Sequence, residues 1–214
     1  LFIDRRWGYN HLQMIHTQVS GFVLAGGKST RMGQDKARLQ LNGRSLLEHA
    51  LTSLRAVCRD VAILGSTELY GELAPVYEDT FPGCGPLGGI HAALSNSQAE
   101  YNLVIAVDTP FLLPEFLSYL AERAIARSAV VTTPEINAYT QPLCTVYSLA
   151  FLPIAERALK SGNYKITPLF PPGQTLVIKE AELRQFAFSA EMFENLNTPE
   201  DMERARRRFS GLEI

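Results

Sequence analysis

Short apolar runs that alternate with helix signals predict an α/β protein built on a mostly parallel sheet flanked by helices. Two further observations support that class. A glycine-rich loop follows the first convincing strand directly, as it does where a sheet presents its carboxyl edge to a ligand. With 214 residues, 46% hydrophobic and 20% charged, the chain has the size and composition of one well-buried domain.

Taken in order, residues 1–18 are polar and aromatic without a period, and the first Met is Met14, so they read as an N-terminal extension to a single domain over 19–214. A strand is expected over residues 21–25. Ser45 and Glu48 form a capping box, and Leu47, Ala50, Leu51 and Leu54 recur at helical spacing behind it. Strands over 61–65 and 103–107 bracket a short helix over 88–94, and Pro114 opens another helix in its first turn. Residues 129–133 and 143–147 read as strands, with a loop marked by Pro134 and Asn137 between them. Thr198, Pro199, Glu200 and Asp201 supply a cap, an N1 proline and first-turn acids to a last helix ending near Phe209.

Charge and cysteine usage exclude several classes. Twenty Lys and Arg against 22 Asp and Glu leave a net charge of -2, without the positive field that gathers nucleic acid or acidic lipid. The longest aliphatic run, residues 103–107, is far short of the roughly 20 residues that span a bilayer. A cytoplasmic protein is expected. Cys58, Cys84 and Cys144 are odd in number and form no C-x-x-C pair, so neither a disulfide framework nor a thiolate zinc site is expected. His11, His16, His49 and His91 show no metal spacing, and Arg204, Arg206, Arg207 and Arg208 read as the solvated end of a helix.

Residues 24–36 carry the strongest chemical signal. Gly26 and Gly27 let backbone approach a ligand, and the amides there, with Lys28, Arg31 and Lys36, make an anion cradle suited to phosphate. A P-loop would need its first glycine at position 22, where Phe22 stands. Residues 83–88 spell G-x-G-x-x-G, with Asp108 twenty residues beyond, as in dinucleotide-binding oxidoreductases; yet residues 78–82 separate the motif from any strand, and Pro86 restricts the turn. Asp108 follows a strongly apolar strand, where a lone carboxylate suits Mg²⁺ shared with substrate phosphates; a simple turn cap is the alternative. Asp79 could accept from a ribose hydroxyl or stand solvated in its loop.

The first loop, residues 85–90, residues 107–110 and residues 195–201 occur in the order seen in the molybdenum cofactor guanylyltransferases, and over about residues 20–205 the chain resembles that family. The resemblance implies a Rossmann-like nucleotidyltransferase fold, GTP and molybdopterin as substrates, Mg²⁺ as the cation, and transient contact with other cofactor-biosynthesis or molybdoenzyme-maturation proteins. By position, Leu24, Ala25, Gly26, Gly27 and Lys36 resemble the nucleotide-binding loop, Gly85, Pro86 and Leu87 its companion segment, and Asp79 the guanosine-side acid. Asp108 resembles the metal ligand, and Arg31, Lys36 and Asp108 are the expected catalytic set. Asn195, Asn197 and the single Lys165 are expected substrate or phosphate contacts, and a CTP-using cytidylyltransferase relative is the alternative.

Overall fold

A computed structural model describes residues 16–26 and 35–211. Strand β1 (His16–Leu24) starts earlier than the apolar pattern suggests, so His16, Thr17 and Gln18 belong to the strand and not to the extension. All three are polar, and Thr17 and Gln18 are exposed, which hides them from a reading of hydrophobic period. A two-stranded ribbon, β2 (Gln40–Leu41) and β3 (Arg44–Ser45), leads into helix α1 (Leu46–Arg55), where the Ser45–Glu48 capping box forms as expected. β4 (Cys58–Leu64), helix α2 (Thr67–Tyr70) and β5 (Val76–Tyr77) follow, then α3 (Pro86–Asn96) and β6 (Tyr101–Ala106).

These four strands run parallel in the order β5-β4-β1-β6. The chain moves outward from β1 to β5, then crosses back by α3 to the other side of β1. This reversal opens a crevice between the carboxyl ends of β1 and β6, the place where open α/β sheets take ligands.

After α4 (Pro114–Arg127), β7 (Val131–Ile136), β8 (Tyr139–Thr140) and β9 (Cys144–Ser148) bring antiparallel pairing into the sheet, because β9 runs back between β6 and β7. Pro134, expected in a loop, lies inside β7. It is tolerated because β7 pairs β9 only at Val131 and Thr132, so no ladder N–H is required of position 134 on that side. Helix α5 (Leu152–Lys160), edge strand β10 (Thr175–Lys179) parallel to β7, helix α6 (Glu180–Gln185) and α7 (Pro199–Phe209) complete the chain. The last is capped by Thr198 and Asp201.

Side chains alternate across the sheet. Val19 and Val23 of β1 and Leu103 and Ile105 of β6 pack with α1 and α4 on one face, whereas Phe22 and Val104 pack with α3 and α5 on the other. Gly21 lets α1 sit close, since a Cβ there would stand 3.1 Å from Leu54 Cδ2. No described helix is long and apolar enough to cross a membrane.

Candidate active site

Three chain segments meet at the crevice. The first returns from the glycine-rich loop and is fixed at Asp35, whose Oδ1 accepts the Ala37 N–H at 3.0 Å and whose Oδ2 accepts the Tyr70 hydroxyl at 2.7 Å. Ala37 is fully buried, so the backbone of Lys36 is anchored while its side chain is free to reach. The second is the end of β6, which delivers Asp108. Leu196 N–H donates to the Asp108 carbonyl at 2.9 Å and thereby pins the third segment, residues 195–198, across the crevice.

Lys36 joins all three. Its Nζ lies 3.0 Å from Asp108 Oδ2 and also donates to Asn197 Oδ1. Asn197 is itself held by its backbone N–H, which donates to Asp201 Oδ2 at 2.9 Å, as does that of Thr198. The Lys36 and Asp108 side chains keep 20% exposure each, so the pair is partly desolvated yet reachable from solvent. Sequence separations of 72 and 161 residues made these contacts invisible beforehand.

A cavity of about 490 Å³ is lined by Leu24, Gly26, Gly65, Asp79, Gly85 and Gly89 among others, and Leu24 accepts the N–H of Val107, the residue before Asp108, at 3.2 Å. Gly85, with φ +66°, precedes the first turn of α3, and Gly88 and Gly89 keep that turn bare. A Cβ on Gly88 would stand 3.3 Å from Asp79 Oδ2, and one on Gly89 would stand 3.0 Å from Leu24 Cδ1. Asp79 is an exposed residue, but its carboxylate end faces this turn, and the loss of water there raises its pKa above the usual carboxylate value; the nearby His91 opposes the shift. His91 is buried against the Phe81 ring, edge to face at 5.0 Å, and burial lowers its own pKa.

A second cavity of about 470 Å³ lies where the β7–β8 turn faces the segment before α7. Ile136, Asn137, Tyr139, Gln141, Phe193 and Asn195 line it, and Tyr139 is 75% exposed. It opens at the carboxyl end of β7, the same edge of the sheet as the first. Of its lining residues the sequence named Asn195 as a substrate contact; the cavity itself and Tyr139, an aromatic residue beside a turn, were not anticipated.

Several expected positions differ. The N–H groups of Ala25 and Gly26 both donate to the Leu64 carbonyl, at 3.0 and 3.1 Å, so they close the β1–β4 ladder and are not available to cradle an anion. Leu87, in the first turn of α3, points into the core and is fully buried, and among the described residues the first cavity is lined by neither Leu87 nor Pro86. Lys165 adjoins Tyr164, which meets Cys84 in the loop that carries Gly83 and Gly85 of the first cavity. Asn195 lines the second cavity, and only Asn197 touches Lys36. Gly27, Lys28 and Arg31 fall outside the described residues. The dinucleotide motif has the wrong setting, since β5 ends at Tyr77, well before α3 begins at Pro86.

A divalent cation fits Asp108. Its Oδ2 already holds a positive group in the Lys36 ammonium. Among the described residues no three His, Cys, Asp or Glu side chains gather, so a cation here would complete its shell from substrate oxygens.

The comparisons agree with this geometry. The family model for a MobA-like NTP transferase domain matches residues 21–170. A probable molybdenum cofactor guanylyltransferase of Carboxydothermus hydrogenoformans is 35% identical over 88% of this chain and 95% of its own length. A molybdenum cofactor guanylyltransferase of Desulfosudis oleivorans is 35% identical over 87% of this chain and 94% of its own. The crystal structure of molybdopterin-guanine dinucleotide biosynthesis protein A from Archaeoglobus fulgidus superposes with a TM-score of 0.79 at 28% identity, covering 90% of this chain and 99% of that one. With this family model over most of its length, these relatives and the reversal of strand order at the sheet's carboxyl edge, the chain belongs to the MobA-like NTP transferase family and is a nucleotidyltransferase.

Proposed function

We propose that the chain transfers GMP from GTP to the terminal phosphate of molybdopterin and releases pyrophosphate. The observation that carries this reading is the Lys36–Asp108–Asn197 cluster at the sheet edge where both cavities open: Leu24 of the first cavity accepts the N–H of Val107, the neighbour of Asp108, and Asn195 of the second lies two residues before Asn197. Donor and acceptor each take one cavity and their phosphates meet at the cluster. The names of the relatives support guanine and molybdopterin as the two partners.

The nucleoside takes the first cavity. Asp79, held above its ordinary pKa by loss of water, gains from a ligand that donates N–H groups to it, and the Watson–Crick edge of guanine presents an imino and an amino donor. Cytosine lacks the imino donor. The acceptor takes the second cavity, with its phosphate toward Asn195 and Asn197.

In the reaction an oxygen of the acceptor phosphate attacks the α-phosphorus of GTP, a new P–O bond forms, and the bond from the α-phosphorus to the bridging oxygen of pyrophosphate breaks. An ionised phosphate needs no general base, so the protein's task is alignment and charge neutralisation. Lys36, anchored through Asp35 and Tyr70, places its ammonium where charge grows on the leaving pyrophosphate. Asp108 would hold Mg²⁺, which when bound spreads phosphate charge and orients the triphosphate. Free Cys58, Cys84 and Cys144 suit a reducing cytoplasm.

Pyrophosphate release measured with molybdopterin, Mg²⁺ and each of the four nucleoside triphosphates tests this. GTP should be turned over far faster than CTP, ATP or UTP; a preference for CTP would overturn the guanylyl assignment and leave nucleotidyl transfer standing.

A further inference from the structure

We infer that the Lys36 ammonium is a stand-in cation, occupying the metal's place on Asp108 in the nucleotide-free protein and leaving it when metal and triphosphate arrive together. This rests on the reading of Asp108 as the metal ligand. Lys36 Nζ sits 3.0 Å from Asp108 Oδ2, and a divalent ion on that oxygen would face a positive charge at contact distance. The two cations compete for one carboxylate.

The local structure lets the ammonium move without disturbing anything else. The backbone of Lys36 is fixed by Asp35 and by buried Ala37, so only the side chain swings. Asn197 is a second, uncharged partner for Nζ, and it is held from behind by Asp201 and by the Leu196 contact to the Asp108 carbonyl. When Asp108 turns to a metal, Lys36 keeps its bond to Asn197 and turns its charge to the phosphates. Asn197 is thus a positioning residue, the pivot of the exchange. Metal alone binds weakly, because it must evict an ammonium whose carboxylate partner among the described residues is Asp108. Metal with triphosphate binds cooperatively, since the triphosphate supplies that anion.

Mn²⁺ alone, titrated by water-proton relaxation in the absence of nucleotide, tests the exchange on wild type, Lys36→Met, Lys36→Arg and the double variant Lys36→Met with Asp108→Asn. Lys36→Met should bind Mn²⁺ at least about fivefold tighter than wild type, the shift expected when a like charge leaves a shared carboxylate. Lys36→Arg should stay as weak as wild type, and the double variant should lose the gain. Should Lys36→Met fold poorly, the ε-carbon signal of Lys36 in isotope-labelled wild-type protein should shift on Mg²⁺ titration and stay still in Asp108→Asn. Asp108-dependent Mn²⁺ binding that is equal or weaker in Lys36→Met, or an ε-carbon signal that Mg²⁺ leaves unmoved, overturns the exchange alone. Mn²⁺ binding indifferent to Asp108 overturns the exchange and the metal reading together.

Discussion

Asp79 shows how a binding residue can work against the fold that carries it. Its carboxylate lies close to the bare first turn of α3 and is held above the usual carboxylate pKa, so above that pKa its charged form costs the free protein stability. The sign follows directly: a raised carboxylate favours the folded state at low pH and loses that advantage as pH rises through its folded value. Asp79→Asn should therefore raise the neutral-pH stability of the nucleotide-free protein, by less than about 1 kcal/mol because solvent at the cavity mouth screens the charge. The same change should weaken GTP binding by about tenfold or more, the loss expected for a charged hydrogen-bond acceptor. Thermal melts with and without GTP read both effects. A variant that lost stability and kept its GTP affinity would remove Asp79 from the base site. Asp79 was legible in the sequence as a loop acid at a position that resembles the guanosine-side acid, but its cost was not. That cost comes from Gly88 and Gly89, nine and ten residues further on, whose missing side chains let the helix approach.

Elements differ in how openly the sequence announces them. The capping boxes of α1 and α7 are complete local devices, a side chain and a backbone three residues apart, and both helices start where those residues say. Strands β7 and β9 were readable from their apolar runs, but the antiparallel return of β9 could not be read from its own five residues. The turn between β7 and β8 explains the difficulty. Asn137 and Ala138 both take left-handed backbone, with φ +49° and +65°, and nothing about an alanine signals such a turn. Asn adopts this conformation readily, whereas Ala is strained there. Ala138→Gly should stabilise the protein by about 0.5–1 kcal/mol, the left-handed penalty less the added chain entropy of glycine. Chemical denaturation gives the value, and a destabilised variant would mean that the methyl group does more than the backbone geometry indicates.

For the molecule as a whole, alternation of apolar runs and helix signals was enough to place the sheet, and the first loop, Asp79 and Asp108 were the residues on which the expectation of chemistry at its carboxyl edge rested. The pairing of Lys36 with Asp108 and Asn197, and the second cavity, required the fold, because they join segments far apart in the chain. The same assembly sets the pH behaviour. His16, which shares a 2.9 Å hydrogen bond with Ser118 Oγ, and His91 are both held below the ordinary histidine value of 6.5 by burial, opposed for His16 by Glu122. A depressed pKa contributes stability above the unfolded value that is lost as pH falls, so the melting temperature should drop on acidification below about pH 6.5. His16→Gln should flatten that drop, and an equally steep one would assign it to other groups. The central claim, that Asp108 serves the chemistry and not the fold, has a more direct test. Turnover of GTP and molybdopterin by Asp108→Asn, measured beside its thermal melt, should fall by about a hundredfold or more while the melting temperature stays within a few degrees, since Asn keeps the shape and the capping capacity but not the charge. Wild-type turnover with an unchanged Mg²⁺ dependence in that variant would contradict the account.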